Sequence, residues 1–148
     1  MEISIRFTHD PIVIPPAVLP SREIGACLEF QGIVREMEDG RALAGLYYEA
    51  HETMAVLHLE RIFHQLDAVH PCAAVTFIHR LGWVLTGEAS LFVRVLAGHR
   101  GTALRFLAEA IDRMKTEAPI WKMTKSKCRC GGRPLTGVVR SRFGWRQD

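Results

Sequence analysis

The sequence predicts an α+β domain, and three observations carry that reading. Short runs such as Ile3, Ile5 and Phe7, or Leu91, Val93 and Val95, place apolar residues at every second position, the period of a strand. Two longer stretches, 52–69 and 102–115, repeat apolar residues at the spacing of one helix face. Strands and helices follow one another in a mixed order, which suits two main helices packed on a mixed or antiparallel sheet.

The elements can be justified in order. An opening strand around Ile3–Phe7 leads into an extended connection marked by Pro11, Pro15, Pro16 and Pro20. Ser21 is an N-cap candidate for a short helix through Leu28, with Glu23 in its first turn. Phe30 to Arg35 (FQGIVR) reads as a strand entering the acidic, glycine-containing turn EMEDG, and LAGLYYEA as the strand leaving it, a hairpin-like unit with Arg35 at its open end. Such an arginine is either a solvated edge charge or a functional one. Ala55, Leu59, Ile62 and Leu66 define the first long helix, Glu52 to Val69. His51, His58 and His64 have no metal-ligand pattern and read as surface or interface residues. Strands resume with AAVTFIHRLG and EASLFVRVLA, and 82–87 between them is a loop or a bent strand.

The second of these strands runs into Gly98-His99-Arg100-Gly101-Thr102 and then into the second helix, whose apolar face is Ala103, Leu104, Leu107, Ala110, Ile111 and Met114. Free N–H groups and partial positive charge at that helix start, with His99 and Arg100 beside it, make an anion seat. At the other end, Pro119 has no N–H to donate and restricts Ala118, so the helix stops just after Lys115. Lys122 then lies on an extended segment that can fold back beside Lys115. Two ammonium groups brought together repel, which favours the neutral form of one of them and supplies a base or nucleophile near neutral pH. Alternatively both lysines are solvated, with Lys115 well placed at a helix C-terminus. The helix is roughly 20 Å long at 1.5 Å per residue, so His99 and Lys115 serve one pocket only if the chain bends around it or a second subunit supplies part of it.

Composition bounds the rest. With 148 residues, 48% hydrophobic and 24% charged, the chain is expected to form one globular domain with a real core. No apolar run approaches membrane-spanning length and the N-terminus lacks a basic-then-apolar signal pattern, so a cytoplasmic protein with no membrane partner is expected. Cys27, Cys72, Cys128 and Cys130 lack paired CxxC spacing and are expected to be reduced thiols. The net charge of +3 is unevenly spread: residues 1–122 hold 12 Lys/Arg against 15 Asp/Glu, whereas 123–148 hold seven against one. The basic character belongs to the tail, which has only Phe143 and Trp145 as aromatic residues, and nucleic acid is not expected as a partner.

FxGxVR, LYYEAHETMA, IHRLG, the strand-to-helix GHR and KTEAPIWK, in this order and at these distances, resemble the large, catalytic subunit of molybdopterin synthase over about residues 22–122. The resemblance implies an α/β-hammerhead-type fold with a small additional β subdomain. It implies an enzyme, a sulfurtransferase of molybdenum cofactor biosynthesis, that converts cyclic pyranopterin monophosphate into molybdopterin. The sulfur would come from a small ubiquitin-like carrier whose C-terminal Gly-Gly ends in a thiocarboxylate. The family assembles as a homodimer of large subunits within a heterotetramer, each pocket drawing on both large subunits. No metal or cofactor is implied. Carried across, Lys115 and Lys122 match the catalytic lysines, with Lys115 at the acyl–sulfur junction and Lys122 assisting with charge and proton transfer. Ile33, Val34 and Arg35, together with His99 and Arg100, match residues that hold the pterin phosphate, and Met123 and Thr124 complete the expected substrate-binding set.

The sequence departs from the family pattern after Lys122. Members usually continue WKKE or WKRE, whereas Met123 and Thr124 follow here, which removes a carboxylate that could orient the neighbouring lysine. We therefore divide the chain into a synthase-like domain, 1–122, and a divergent basic tail, 123–148. The tail is either an extension lying against an acidic carrier or substrate, or a remnant with little role. The same departure gives the alternative function, a catalytically impaired paralogue acting as a carrier-binding or regulatory subunit.

Overall fold

A computed structural model of the chain describes residues 1–124 and 139–141. Ten strands and two helices are seen among them. The main sheet is mixed and has the order β1-β6-β8-β2. β1 (Glu2–Thr8) runs parallel to β6 (Ala74–Arg80), which pairs antiparallel with β8 (Ala89–Ala97), and β8 pairs antiparallel with β2 (Ala26–Ile33). The helices α1 (Glu52–Asp67) and α2 (Arg100–Glu117) cover one face. Between them and the sheet lies the core, with Leu59, Ile62 and Phe63 of α1, Phe77 of β6, Val93 and Val95 of β8, and Ala103, Phe106 and Met114 of α2. The alternation along β8 explains its side-to-side chemistry: Leu91, Val93 and Val95 face the helices, while Phe92, Arg94 and Leu96 face the other way. Arg94 is nonetheless 5% exposed, because Glu29 pairs with it and the carbonyl of Pro15 accepts its guanidinium N–H at 2.7 Å.

A second sheet, β10-β9-β5-β7, is antiparallel. β5 (Gly45–Ala50) lies between β7 (Gly82–Leu85) and β9 (Ile120–Thr124), and β10 (Val139–Ser141) borders β9. A smaller core of Val34, Leu46, Tyr48, Leu81 and Val84 sits under it. The α+β class with two helices and a mixed sheet is the one the sequence predicts.

Several local expectations are corrected. Residues 21–28 are not a helix: β2 already starts at Ala26, and Ser21 Oγ accepts the N–H of Glu23 at 3.2 Å in a local turn. From Ala26 to Ile33 half-buried and exposed residues alternate strictly, and the ladder to β8 outweighs the weak capping signal. FQGIVR and LAGLYYEA do not pair with one another either, since β2 lies in the main sheet and β5 in the second. The hairpin is instead the short pair β3 (Met37–Glu38) and β4 (Arg41–Ala42). Its turn residues Asp39 and Gly40 both have positive φ, 49° and 74°, as a two-residue type I′ turn requires. Segment 82–87 resolves into β7 and a turn at Gly87, where φ is 87°. The division placed after residue 122 falls inside β9, and Cys128, Cys130 and most of the basic tail lie outside the described residues.

Candidate active site

The two lysines reach one cavity by different routes. Lys115 stands one helical turn after Ile111 on α2, so its stem continues the buried stripe of that helix. Ala118 leaves the helix with φ −77° and ψ 138°, its N–H donating to Met114, and Pro119 hands the chain straight to β9. Within β9, Ile120 and Lys122 are two positions apart and share a face; Ile120 enters the core, so Lys122 points inward as well. The strand register sets Lys122 opposite Tyr48 of β5.

The cavity, about 260 Å³, lies at the seam of the two sheets and the end of α2. Of the residues expected from the sequence, Ile33, Val34, Arg35, Lys115 and Lys122 line it. His99 and Arg100 do not; His99 is the N-cap of α2, and both are exposed at the opposite end of that helix. Met123 and Thr124 belong to β9, and Met123 is not among the described lining residues.

Three further residues complete the site. Glu38 of the small hairpin forms an ion pair with Lys122, in which the side chains are 18% and 11% exposed. Lys122 thus has a carboxylate partner in Glu38, 84 residues before it in the chain. His79, at the floor, is 1% exposed and donates from Nδ1 to the carbonyl of Arg80 at 2.8 Å. Burial opposes its cationic form and pushes its pKa from 6.5 down to about 4, so the ring is neutral at physiological pH. Tyr48 stacks edge-on against it with centroids 5.1 Å apart. The Tyr48 phenol pKa is raised, first by burial and last by the charge of Glu38, while a hydrogen bond with Ser90 opposes both.

For Lys115 the shift runs in the direction a base requires. Burial lowers its pKa, Asp112 one turn back on α2 opposes that, and the Lys122 ammonium lowers it further. The site therefore holds three cationic side chains, Arg35, Lys115 and Lys122, around one carboxylate, a field suited to an anionic ligand. Among the described residues no three His, Cys, Asp or Glu side chains gather as a metal site, and no helix is long and apolar enough to cross a membrane. His51, expected at the surface, is exposed and caps α1 by accepting the N–H of Met54 at Nδ1. His58 Nδ1 meets the carbonyl of Glu117 at the end of α2, while His64 is exposed.

Glu38 and His79 were within reach of the sequence. Asp39-Gly40 is the strongest two-residue hairpin signal in the chain, and it fixes Glu38 at the hairpin's end. His79 lies two and four residues from the inward-facing Phe77 and Val75, a register that marks a core position.

The fold and the cavity together define an α+β protein with a paired-lysine, anion-attracting pocket. The chain matches the family of MoaE proteins over residues 7–117 and belongs to that family. The molybdopterin synthase catalytic subunit of Oryza sativa subsp. indica is 40% identical over 98 residues, 66% of this chain and 51% of that relative. The chain thus spans about half the length of that relative. The crystal structure of molybdopterin synthase from Staphylococcus aureus is similar with a TM-score of 0.73 at 28% identity, covering 82% of this chain and 90% of that one. A chain in the complex of subunits 1 and 2 of molybdopterin-converting factor from Helicobacter pylori 26695 is similar with a TM-score of 0.60 at 28% identity, covering 78% and 80%.

Proposed function

We propose that the protein is the catalytic subunit of a molybdopterin synthase, converting cyclic pyranopterin monophosphate into molybdopterin with sulfur from a thiocarboxylated carrier subunit. The observation that carries this reading is the meeting of Lys115 and Lys122 in one cavity beside Arg35, in a chain of the MoaE family. Arg35 supplies charge-assisted hydrogen bonds to the substrate's phosphate. The thiocarboxylate sulfur attacks an electrophilic pterin carbon and opens the cyclic phosphate, so that a C–S bond replaces a C–O bond and the phosphate stays on the substrate through its other ester. Water then cleaves the carrier's acyl–sulfur bond, releasing the carrier as a carboxylate, and a second thiocarboxylated carrier delivers the other dithiolene sulfur with loss of water. Lys115, with its lowered pKa, is the base or transient nucleophile at that junction. Lys122 stabilises the negative charge that develops there. The carrier occupies its own subunit, in keeping with the two-subunit complex of the Helicobacter pylori relative. His99 and Arg100 reach a pocket only if a second copy of the chain brings them, which fits a dimer of large subunits. A catalytically impaired paralogue is not favoured, because both lysines line the cavity and Lys122 has a carboxylate partner.

The test is formation of molybdopterin from cyclic pyranopterin monophosphate and thiocarboxylated carrier. The intact protein should turn over, and Lys115→Ala should lower the rate by about 100-fold or more, the usual contribution of a positioned acid or base. A folded intact protein that binds carrier yet forms no product would refute the reading.

A further inference from the structure

Glu38 is placed by a device that does not need its side chain. The β3–β4 hairpin is closed by backbone pairing of Met37 with Ala42 and Glu38 with Arg41, by the Asp39-Gly40 turn, and by the Leu43 N–H donating to the Glu36 carbonyl at 2.7 Å. The Glu38 carboxylate instead enters the cavity, where Oε1 takes the Lys122 ammonium. Its other oxygen, Oε2, is buried and without a hydrogen-bond partner among the described residues. A buried, half-satisfied carboxylate is a cost to the folded chain, and side chains retained at such a cost are found where chemistry requires them.

We propose that Glu38 is a positioning residue of the lysine pair: its carboxylate seats the Lys122 ammonium opposite Lys115 and neutralises it. This rests on the reading of the cavity as the synthase site and assigns a role there to a residue outside the lysine pair. The argument is electrostatic. Lys115 shares the cavity with Lys122 on β9, Glu38 on β3, Arg35 after β2, Tyr48 on β5 and the neutral His79 on β6, and the charges acting on it are those of Asp112 on its own helix and Lys122. Asp112 lies on the exposed side of α2, so among the described lining residues Glu38 is the carboxylate that offsets Lys122. With both partners of the pair largely out of water, solvent and salt screen it weakly. Replacing Glu38 by glutamine keeps a carbonyl oxygen for Lys122 and removes only the charge. The two ammonium groups then share the cavity with one negative charge fewer beside Lys122, which favours release of the Lys115 proton at lower pH.

The experiment is competitive labelling of the full-length chain with trace acetic anhydride across pH, with Lys115 read by mass spectrometry, beside the pH profile of molybdopterin formation. In Glu38→Gln the midpoint for Lys115 acylation should fall by about one unit, the low end of the effect of a neighbouring charge. The acid limb of the activity profile should move with it. Glu38→Asp should restore most of both, and Glu36→Gln, which removes an exposed carboxylate from the same hairpin, should move neither. An unchanged or raised Lys115 midpoint in Glu38→Gln would overturn the proposal, as would a rate that drops with its pH profile unmoved. Because labelling needs no turnover, a wild-type chain that is inactive but shows the labelling shift would sink the synthase reading and support the role of Glu38 in the pair.

Discussion

Stability between pH 6.5 and 5 should be governed by His79. Its ring is fully enclosed by Tyr48, Phe7 and Phe77, and burial holds its pKa at about 4 against 6.5 in the unfolded chain. The folded-state value is depressed, so the stabilisation is complete above 6.5, where neither state binds the proton. As pH falls below 6.5 the unfolded chain takes up a proton that the folded chain refuses, and stability declines until pH 4. Each unit costs about 1.4 kcal/mol, so moving from pH 7.5 to 5 costs about 2 kcal/mol. For a domain of this size that corresponds to a fall in Tm of about 6 °C. Carboxylates such as Glu117, whose pKa is lowered mainly by its hydrogen bond to Arg113, lose their contribution at lower pH, below the ordinary carboxylate value of 4.5. Urea melts of the wild type and of His79→Asn, whose amide can still donate to the Arg80 carbonyl, measure the effect. The variant should be less stable at pH 7.5 because it leaves a void, and its stability should change far less between pH 6.5 and 5. Parallel curves for the two proteins over that window would refute the reasoning.

Two further predictions concern the frame and the thiols. A Cβ added at Gly25 would lie 2.4 Å from the carbonyl oxygen of Gly98, backbone against backbone, so Gly25→Ala should destabilise the chain by about 1–3 kcal/mol in a denaturant melt. Cys72 is buried, and burial raises its pKa from 9.0 to about 11, with Asp67 adding to the shift. At pH 8 its thiolate is about one part in a thousand, so iodoacetamide followed by peptide mapping should modify the exposed Cys27 well before Cys72.

What the sequence made legible were elements whose signal is local. The second helix could be bounded because Pro119 stops it and the Ala103-to-Met114 stripe faces one side, and the structure extends it only to Arg100 and Glu117. β8 was readable as a strand because Leu91 to Leu96 is a short, almost continuous run of apolar residues, and the structure buries it on both faces from Ser90 to Ala97. What failed was partnership. Ala26 to Ile33 carries a strand's alternation, but Ser21 and Glu23 offered a competing cap, and only the ladder with β8, some sixty residues later, decides between them. In the same way Lys122 was readable as one half of a lysine pair and the Asp39-Gly40 turn marks Glu38 as a hairpin residue, but nothing local to either residue encodes their meeting.

The separation of His99 and Arg100 from the lysines leads to a last prediction. α2 has 18 residues and spans about 27 Å, with Arg100 at its first position and Lys115 in its last turn. Neither His99 nor Arg100 lines the cavity that holds Lys115. If both ends of α2 serve the same chemistry, the anion seat of one copy must sit at the lysines of another. Arg100→Ala and Lys115→Ala chains should then each be inactive alone and complement when unfolded, mixed and refolded together. Random pairing makes half of the dimers mixed; each mixed dimer of two-fold symmetry carries one pocket with both defects and one with neither, so about a quarter of wild-type activity should return. Arg100→Ala that stays fully active would remove the anion seat from the mechanism. Two inactive variants that never complement would instead put Arg100 and Lys115 to work within a single chain, which the length of α2 argues against.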